Sequence, residues 1–270
     1  MIKQAIIPLA GLGTRLLPLT SVLPKELLPI NGKPGLEYIL DECIEAGIKQ
    51  VIFVISNKKK IIKKYFFNDI FFKEIIKKKK DERIKNEYAK IKKYKKMIKF
   101  VYQNKPNGTG DAVLKCKNLI KSKYFLMLLP DDLIIKKNCS KSMIKLHKRY
   151  NSSIVASKRV EKKDVSRWGI FNVKKINKKI FLINDVVEKP SVKSAPSNYA
   201  VIGRYILPSK IFKILLKQRP GQNGEIHITD AIKTLIKKKN KFIGHVFDGK
   251  YLDCGTMNGY IKSSLEIYRS

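Results

Sequence analysis

The 270-residue sequence predicts an α/β fold with a mixed sheet. Three observations predict it. Between Lys3 and Ile55 the chain reads strand, glycine-rich turn, amphipathic helix, strand, a βαβ unit that calls for a parallel sheet covered by helices. The segment YFLMLL at Tyr124–Leu129 is a strongly apolar strand that ends in Pro130-Asp131-Asp132. The composition is 44% hydrophobic with 15 Gly, 11 Pro and 4 Cys, which excludes intrinsic disorder for most of the chain, and collagen and disulfide scaffolds.

Taken in order, Lys3–Pro8 is a buried strand and residues 34–46 (PGLEYILDECIEA) are a helix with Leu36, Ile39, Leu40 and Cys43 on one face. Gly47 stops that helix, and QVIFVI at Gln50–Ile55 is the second buried strand. Residues 57–99 carry 18 Lys or Arg against 5 Asp or Glu; recurring Ile and Tyr make this an exposed helical stretch. Strands are expected at 99–103, 153–157, 169–173, 180–188 and 200–206, and helices from Gly108 to Lys117, at 142–150, 210–217 and 229–238. No repeat and no linker divides the chain, so residues 1–270 are expected to be one domain with 57–99 as a helical insertion.

Lys plus Arg number 58 and Asp plus Glu 22, a net charge of +36. Only 8 of the basic residues are Arg, and the excess runs through the whole chain, so it reads as drift of exposed positions toward Lys. The competing reading is a nucleic-acid-binding surface. Cys43, Cys116, Cys139 and Cys254 form no C-x-x-C pair and suit a reducing cytoplasm. The start has no signal-peptide layout, and no run of 18 apolar residues spans a membrane. His147, His227 and His245 fit no triad pattern and read as structural.

Four constellations carry chemistry. Leu9-Ala10-Gly11-Leu12-Gly13-Thr14-Arg15 directly follows the first strand, where bare backbone N–H groups can cradle phosphate. It is neither a P-loop nor the dinucleotide fingerprint, whose third Gly position is Leu16. Arg15 and Lys25, the latter in PKELLPI, add fixed positive charge. Asp131 stands at the carboxyl end of a strand, where ligands of parallel sheets gather, and a carboxylate there suits Mg²⁺. Asp132 is either a second ligand or a turn residue. Lys189 of Glu188-Lys189-Pro190 can meet a phosphate as a point charge, and Asp253 of Asp253-Cys254-Gly255 can supply a second carboxylate to the same metal.

These residues, in this order, resemble the sugar-1-phosphate nucleotidylyltransferase family. The carriers are AGLGTRLLPLT, PKELLPI, Gln103 followed by NGTGDAV, LLPDDLI, WGIF, VVEKP, AVIGRYIL, GEIHITDAI and YLDCGTMNGY, from residue 5 to about 260. The resemblance is nearest to the branch that makes UDP-glucose and pyrophosphate from UTP and glucose 1-phosphate. It implies a Rossmann-like three-layer α/β/α fold with a mixed, mainly parallel sheet, and a cytoplasmic homo-oligomer using Mg²⁺. It also implies that Ala10, Gly11 and Gly13 line the nucleotide, Arg15 and Lys25 hold the triphosphate, and Gln103 and Gly108 read the uracil. Asp131 and Asp253 would bind the metal. Gly169, Glu188 and Gly203 would face the sugar, with Lys189 on its phosphate. Thr109 and Asp111 stand where many relatives carry Leu and His, Trp168 replaces a usual Tyr, and Asn172 replaces a usual acidic residue. The rival within the family is a thymidylyltransferase.

Overall fold

The computed structural model describes residues 1–221 and 224–270. Its strands are β1 (Gln4–Pro8), β2 (Pro29–Ile30), β3 (Lys33–Pro34), β4 (Gln50–Ile55), β5 (Ile98–Tyr102), β6 (Tyr124–Leu128), β7 (Asp132–Ile135), β8 (Ser153–Arg159), β9 (Gly169–Lys175), β10 (Ile180–Glu188), β11 (Tyr199–Pro208), β12 (Phe242–Val246) and β13 (Lys250–Asp253). The helices are α1 (Gly35–Glu45), α2 (Lys60–Phe67), α3 (Asp69–Lys79), α4 (Glu82–Met97), α5 (Thr109–Lys115), α6 (Cys139–Tyr150), α7 (Ile211–Leu215), α8 (Ile228–Lys237) and α9 (Met257–Tyr268).

One nine-stranded sheet runs β5-β4-β1-β6-β11-β8-β12-β10-β9. The strands β5, β4, β1 and β6 are parallel, as the βαβ reading requires. Beyond them β11 and β10 run against the rest, so the sheet is mixed. Strand periodicity sends alternate residues to opposite faces, and both faces are covered. Ala5, Ile7, Val51, Phe53 and Ile55 pack under α1, α2, α4 and α6. Ile6, Ile52 and Val54 face the other way, onto α5, α7 and α8. The result is three layers, helix on sheet on helix.

The Lys-rich stretch is three helices. Ile62 and Phe66 of α2 and Ile91, Tyr94 and Met97 of α4 are buried, whereas no residue of α3 is. Phe72 of α3 instead stacks on Tyr88 of α4, with ring centroids 5.2 Å apart.

Several elements lie outside the sequence expectation. The β7–β13 ribbon pairs Asp132 with Asp253 across 121 positions of chain, a contact that no local period reveals. Strand β12 is short and carries Gly244 at its centre, whose missing side chain makes room for the Phe181 ring; a Cβ there would sit 1.9 Å from it. Helix α9 starts from the Thr256 side chain, which accepts the N–H of Gly259.

Candidate active site

The loop after β1 is the floor of the site. Leu9 still donates its N–H to Val54, and the next backbone donor in use is Leu16, to Gly13. Between them, among the described residues, the N–H groups from Ala10 to Arg15 have no protein acceptor. Gly13 holds a left-handed φ of 71°, and its carbonyl accepts from the Thr20 hydroxyl at 2.8 Å. This is a turn of free donors suited to an anion.

A cavity of about 390 Å³ opens over that loop. Ala10, Gly11, Gly13, Lys25, Gln103, Gly108 and Asp131 all line it. Six sequence-derived candidates stand outside it: Arg15, Gly169, Glu188, Lys189, Gly203 and Asp253.

Asp131 is the electrostatic centre. Lys25 donates to its Oδ2 at 2.6 Å, and the largely exposed Arg15 guanidinium lies 3.7 Å away. Burial alone would raise the Asp131 carboxyl, but Lys25 and Arg15 hold it below the usual carboxylate range. Burial likewise works against the Lys25 charge, and Asp131 and Glu26 overcome it, so its pKa is raised. Asp253 approaches from the C-terminal ribbon. The absent Cβ of Gly255 would lie 2.9 Å from Asp131 Oδ2 and 3.2 Å from Asp253 Oδ1, so the two carboxylates flank one glycine. The Cys254 N–H fixes this by donating to the Asp131 carbonyl at 2.8 Å.

Asp132 has a structural task. Its Oδ2 accepts the Gly203 N–H at 2.8 Å and its Oδ1 the Tyr251 hydroxyl at 2.6 Å. Burial, and then the neighbouring Asp131 charge, push its carboxyl up to about 6. Gly203 is thereby pinned beside the cavity wall: its carbonyl accepts the Leu129 N–H, and a Cβ would strike Asp132 and Leu129.

A second cluster lies beyond that wall. Gly169 pairs with Glu188 in the β9–β10 ladder, and a Cβ on Gly169 would touch Glu188 Oε2 at 3.1 Å. Lys189 takes a left-handed φ of 44° and donates its N–H to Trp168. Its exposed ammonium has no carboxylate within ion-pair distance among the described residues. Trp168 meets Tyr251 edge to face, and Lys158 stands over both rings at 5.1 and 4.2 Å.

Sequence reasoning assigned no role to three participants. Glu26 lines the cavity beside Lys25, and both its oxygens accept from the buried Lys59 at 2.8 Å. Its place in PKEL was the available signal. Glu225 also lines the cavity. Asp111 accepts from the Gln103 amide at 2.8 Å, which local spacing does not announce.

The three histidines stay out of the site. His227 directly precedes α8 without a side-chain capping bond, His147 faces the Ser152 carbonyl, and His245 meets the Ser142 hydroxyl. No group of three His, Cys, Asp or Glu forms a metal cluster among the described residues. No helix among them is long and apolar enough to cross a membrane.

Residues 4–270 match the nucleotidyl transferase family. A UTP–glucose-1-phosphate uridylyltransferase of Streptococcus pyogenes is 37% identical, over 98% of this chain and 90% of its own. A UDP-glucose pyrophosphorylase solved with UDP-glucose superposes with a TM-score of 0.89 at 37% identity, covering 100% of this chain and 99% of its own. A UTP-bound enzyme of the same type from Acinetobacter baumannii gives 0.87 at 33%, covering 99% and 93%. A site assembled from the loop after β1, the carboxyl end of β6 and the C-terminal ribbon is thus set in a chain that belongs to the nucleotidyl transferase family.

Proposed function

We propose that the chain is a uridylyltransferase that forms UDP-glucose and pyrophosphate from UTP and glucose 1-phosphate. The observation that carries this reading is the cavity over the free N–H groups of Ala10–Arg15, with Lys25 and Asp131 on its wall, in a chain whose relatives bind UTP and UDP-glucose.

In this reading the backbone of Ala10, Gly11 and Gly13 receives the triphosphate, and Arg15 and Lys25 offset its charge. Gln103 and Gly108 face the base. Gly169, Glu188 and Gly203 border the glucose, and the Lys189 ammonium, unpaired among the described residues, meets its phosphate. Glucose 1-phosphate needs no general base, because a phosphate monoester with a second pKa near 6 is already an anionic nucleophile at neutral pH. What opposes reaction is repulsion between that anion and the triphosphate. The protein's work is to align the two for in-line attack on the α-phosphorus and to neutralise charge as the pyrophosphate leaves.

Mg²⁺ fits the residues present. Two carboxylates, Asp131 and Asp253, flank Gly255, and a hard cation held by one or two carboxylates plus substrate phosphates is the usual arrangement. When bound, it supplies further neutralisation of phosphate charge. The reading treats residues 1–270 as one domain with 57–99 as an insertion. It carries a cytoplasmic homo-oligomer that makes no specific use of nucleic acid or membrane.

The test is pyrophosphate release by purified protein with Mg²⁺, glucose 1-phosphate and UTP, dTTP, CTP or GTP in parallel. Release with UTP foremost supports the proposal. Equal or better release with dTTP moves the assignment to a thymidylyltransferase, and release with none overturns it.

A further inference from the structure

We propose that Asp111 is a positioning residue that fixes the direction of the Gln103 amide, and that this lock sets which pyrimidine the cavity accepts. The inference rests on the reading of the cavity as a nucleotide site with Gln103 at the base.

Gln103 is 5% exposed and lines the cavity. Its backbone N–H donates to Ile55 at 2.8 Å, which anchors the residue at the end of β5. Its side-chain amide has two N–H groups and one oxygen. Nε2 donates to the Gly108 carbonyl at 3.1 Å and to Asp111 Oδ2 at 2.8 Å, so both N–H groups are committed. Neither partner has a proton to return: one is a backbone carbonyl and the other a carboxylate, with Lys115 Nζ 3.8 Å from its second oxygen. A flipped amide would set Oε1 against two acceptors and leave its own donors without them. The orientation is therefore dictated by the partners.

Neither acceptor can drift. Asp111 is 6% exposed in the first turn of α5. The loop bearing Gly108 is laced to Ile226, with Ile226 donating to Asn107 at 2.8 Å and Gly110 donating to Ile226 at 2.7 Å. The packing is close enough that a Cβ on Gly108 would lie 2.6 Å from the Ile226 carbonyl.

What remains of Gln103 is Oε1, which accepts no protein hydrogen bond among the described residues. A fixed acceptor selects a ring N–H. Uracil and thymine offer one at N3, whereas cytosine presents a lone pair at N3 and is repelled. Asp111 thus acts through Gln103 to exclude CTP, and it leaves UTP and dTTP undistinguished. In Asp111→Asn the new amide can accept from Gln103 Nε2 or donate to Gln103 Oε1, so both directions become available.

The experiment is kcat/KM for UTP, dTTP and CTP in the wild type, Asp111→Asn, Asp111→Ser and Gln103→Ala. Each ratio is taken within one preparation, so any misfolded fraction cancels. Where turnover is too slow, the ratio of UTP to CTP Kd by calorimetry replaces it. The expected result is a UTP/CTP preference reduced about tenfold or more in the Asp111 variants, the scale on which mispaired polar groups discriminate, with UTP/dTTP unchanged. A merely structural role would lower all three nucleotides together, and that result overturns the lock. If Gln103→Ala loses the preference while the Asp111 variants keep it, the lock fails and the reading of Gln103 stands. If Gln103→Ala keeps the preference, the reading of Gln103 at the base fails, and the lock with it.

Discussion

Arg204, fully buried on β11, is clasped by both carboxylate oxygens of Glu42 from α1, with Nε at 3.1 and 3.0 Å and Nη2 at 2.8 Å. Its Nη1 donates to the carbonyls of Leu129 and Gly203, the two residues that flank the cavity wall. The pair ties a helix on one face of the sheet to the strand ends that carry Asp131. Arg204→Met leaves the Glu42 charge buried with only Ser140 as side-chain partner among the described residues, and should cost about 3–5 kcal/mol in urea unfolding. Adding Glu42→Leu to that variant should restore most of the loss; a double variant as unstable as the single would refute the ion-pair account.

Asp131→Asn should lower kcat by about 10²-fold or more, the scale for losing a preorganised electrostatic group. The folded state should survive, since Lys25 remains paired through space with Glu26. Steady-state kinetics at saturating Mg²⁺ decide the matter, and a rate near wild type would remove Asp131 from the metal assignment.

Gly11→Ala and Gly203→Ala should separate binding from folding. Nothing lies within 4 Å of a Cβ on Gly11, so the melting temperature should hold while the KM for UTP rises, about tenfold for one obstructed backbone contact. A Cβ on Gly203 would stand 2.4 Å from Asp132 Oδ2 and 2.5 Å from Leu129 Cβ. That variant should lose about 1–3 kcal/mol of stability, the cost of overpacking. Thermal melts beside UTP titrations read both.

Burial lowers the His245 pKa below its ordinary 6.5; Asp248 acts to raise it and Lys179 to lower it further. The native state then binds fewer protons than the unfolded one below about pH 6.5, so stability is present above that pH and lost as pH falls through the native pKa. Melting temperatures from pH 7.5 down to 5 should fall, and His245→Gln should flatten that part of the slope. An identical slope in the variant would assign the acid sensitivity elsewhere.

The elements legible in sequence were those with a strong local period. Gln50–Ile55 has the bounds its apolar run gives, because both faces of β4 are covered and every residue from Val51 to Ile55 is buried. The glycine turn and the aspartate after β6 were legible for a related reason: each ends a strand, and strand ends are where this sheet keeps its ligands. What stayed hidden depends on distant partners. Glu42 shows no sign in sequence that Arg204, 162 residues on, will neutralise it. Asp132 looks like either a ligand or a turn residue until Tyr251 and Gly203 are seen to occupy its oxygens. Glu26 and Asp111 are similar, since each takes its meaning from a lysine or glutamine elsewhere in the chain.

The β7–β13 ribbon also sets the order in which the protein is completed. Ribosomes release chains from the N-terminus, and β1, β4, β5 and β6 can associate once residue 128 has emerged. The carboxylate of Asp253 can face that of Asp131 only after β13 has zipped along β7 and the Cys254 N–H has reached its carbonyl. A nascent chain stalled before residue 250 therefore has its glycine turn and lacks the opposing carboxylate, so competence waits until β13 has been made.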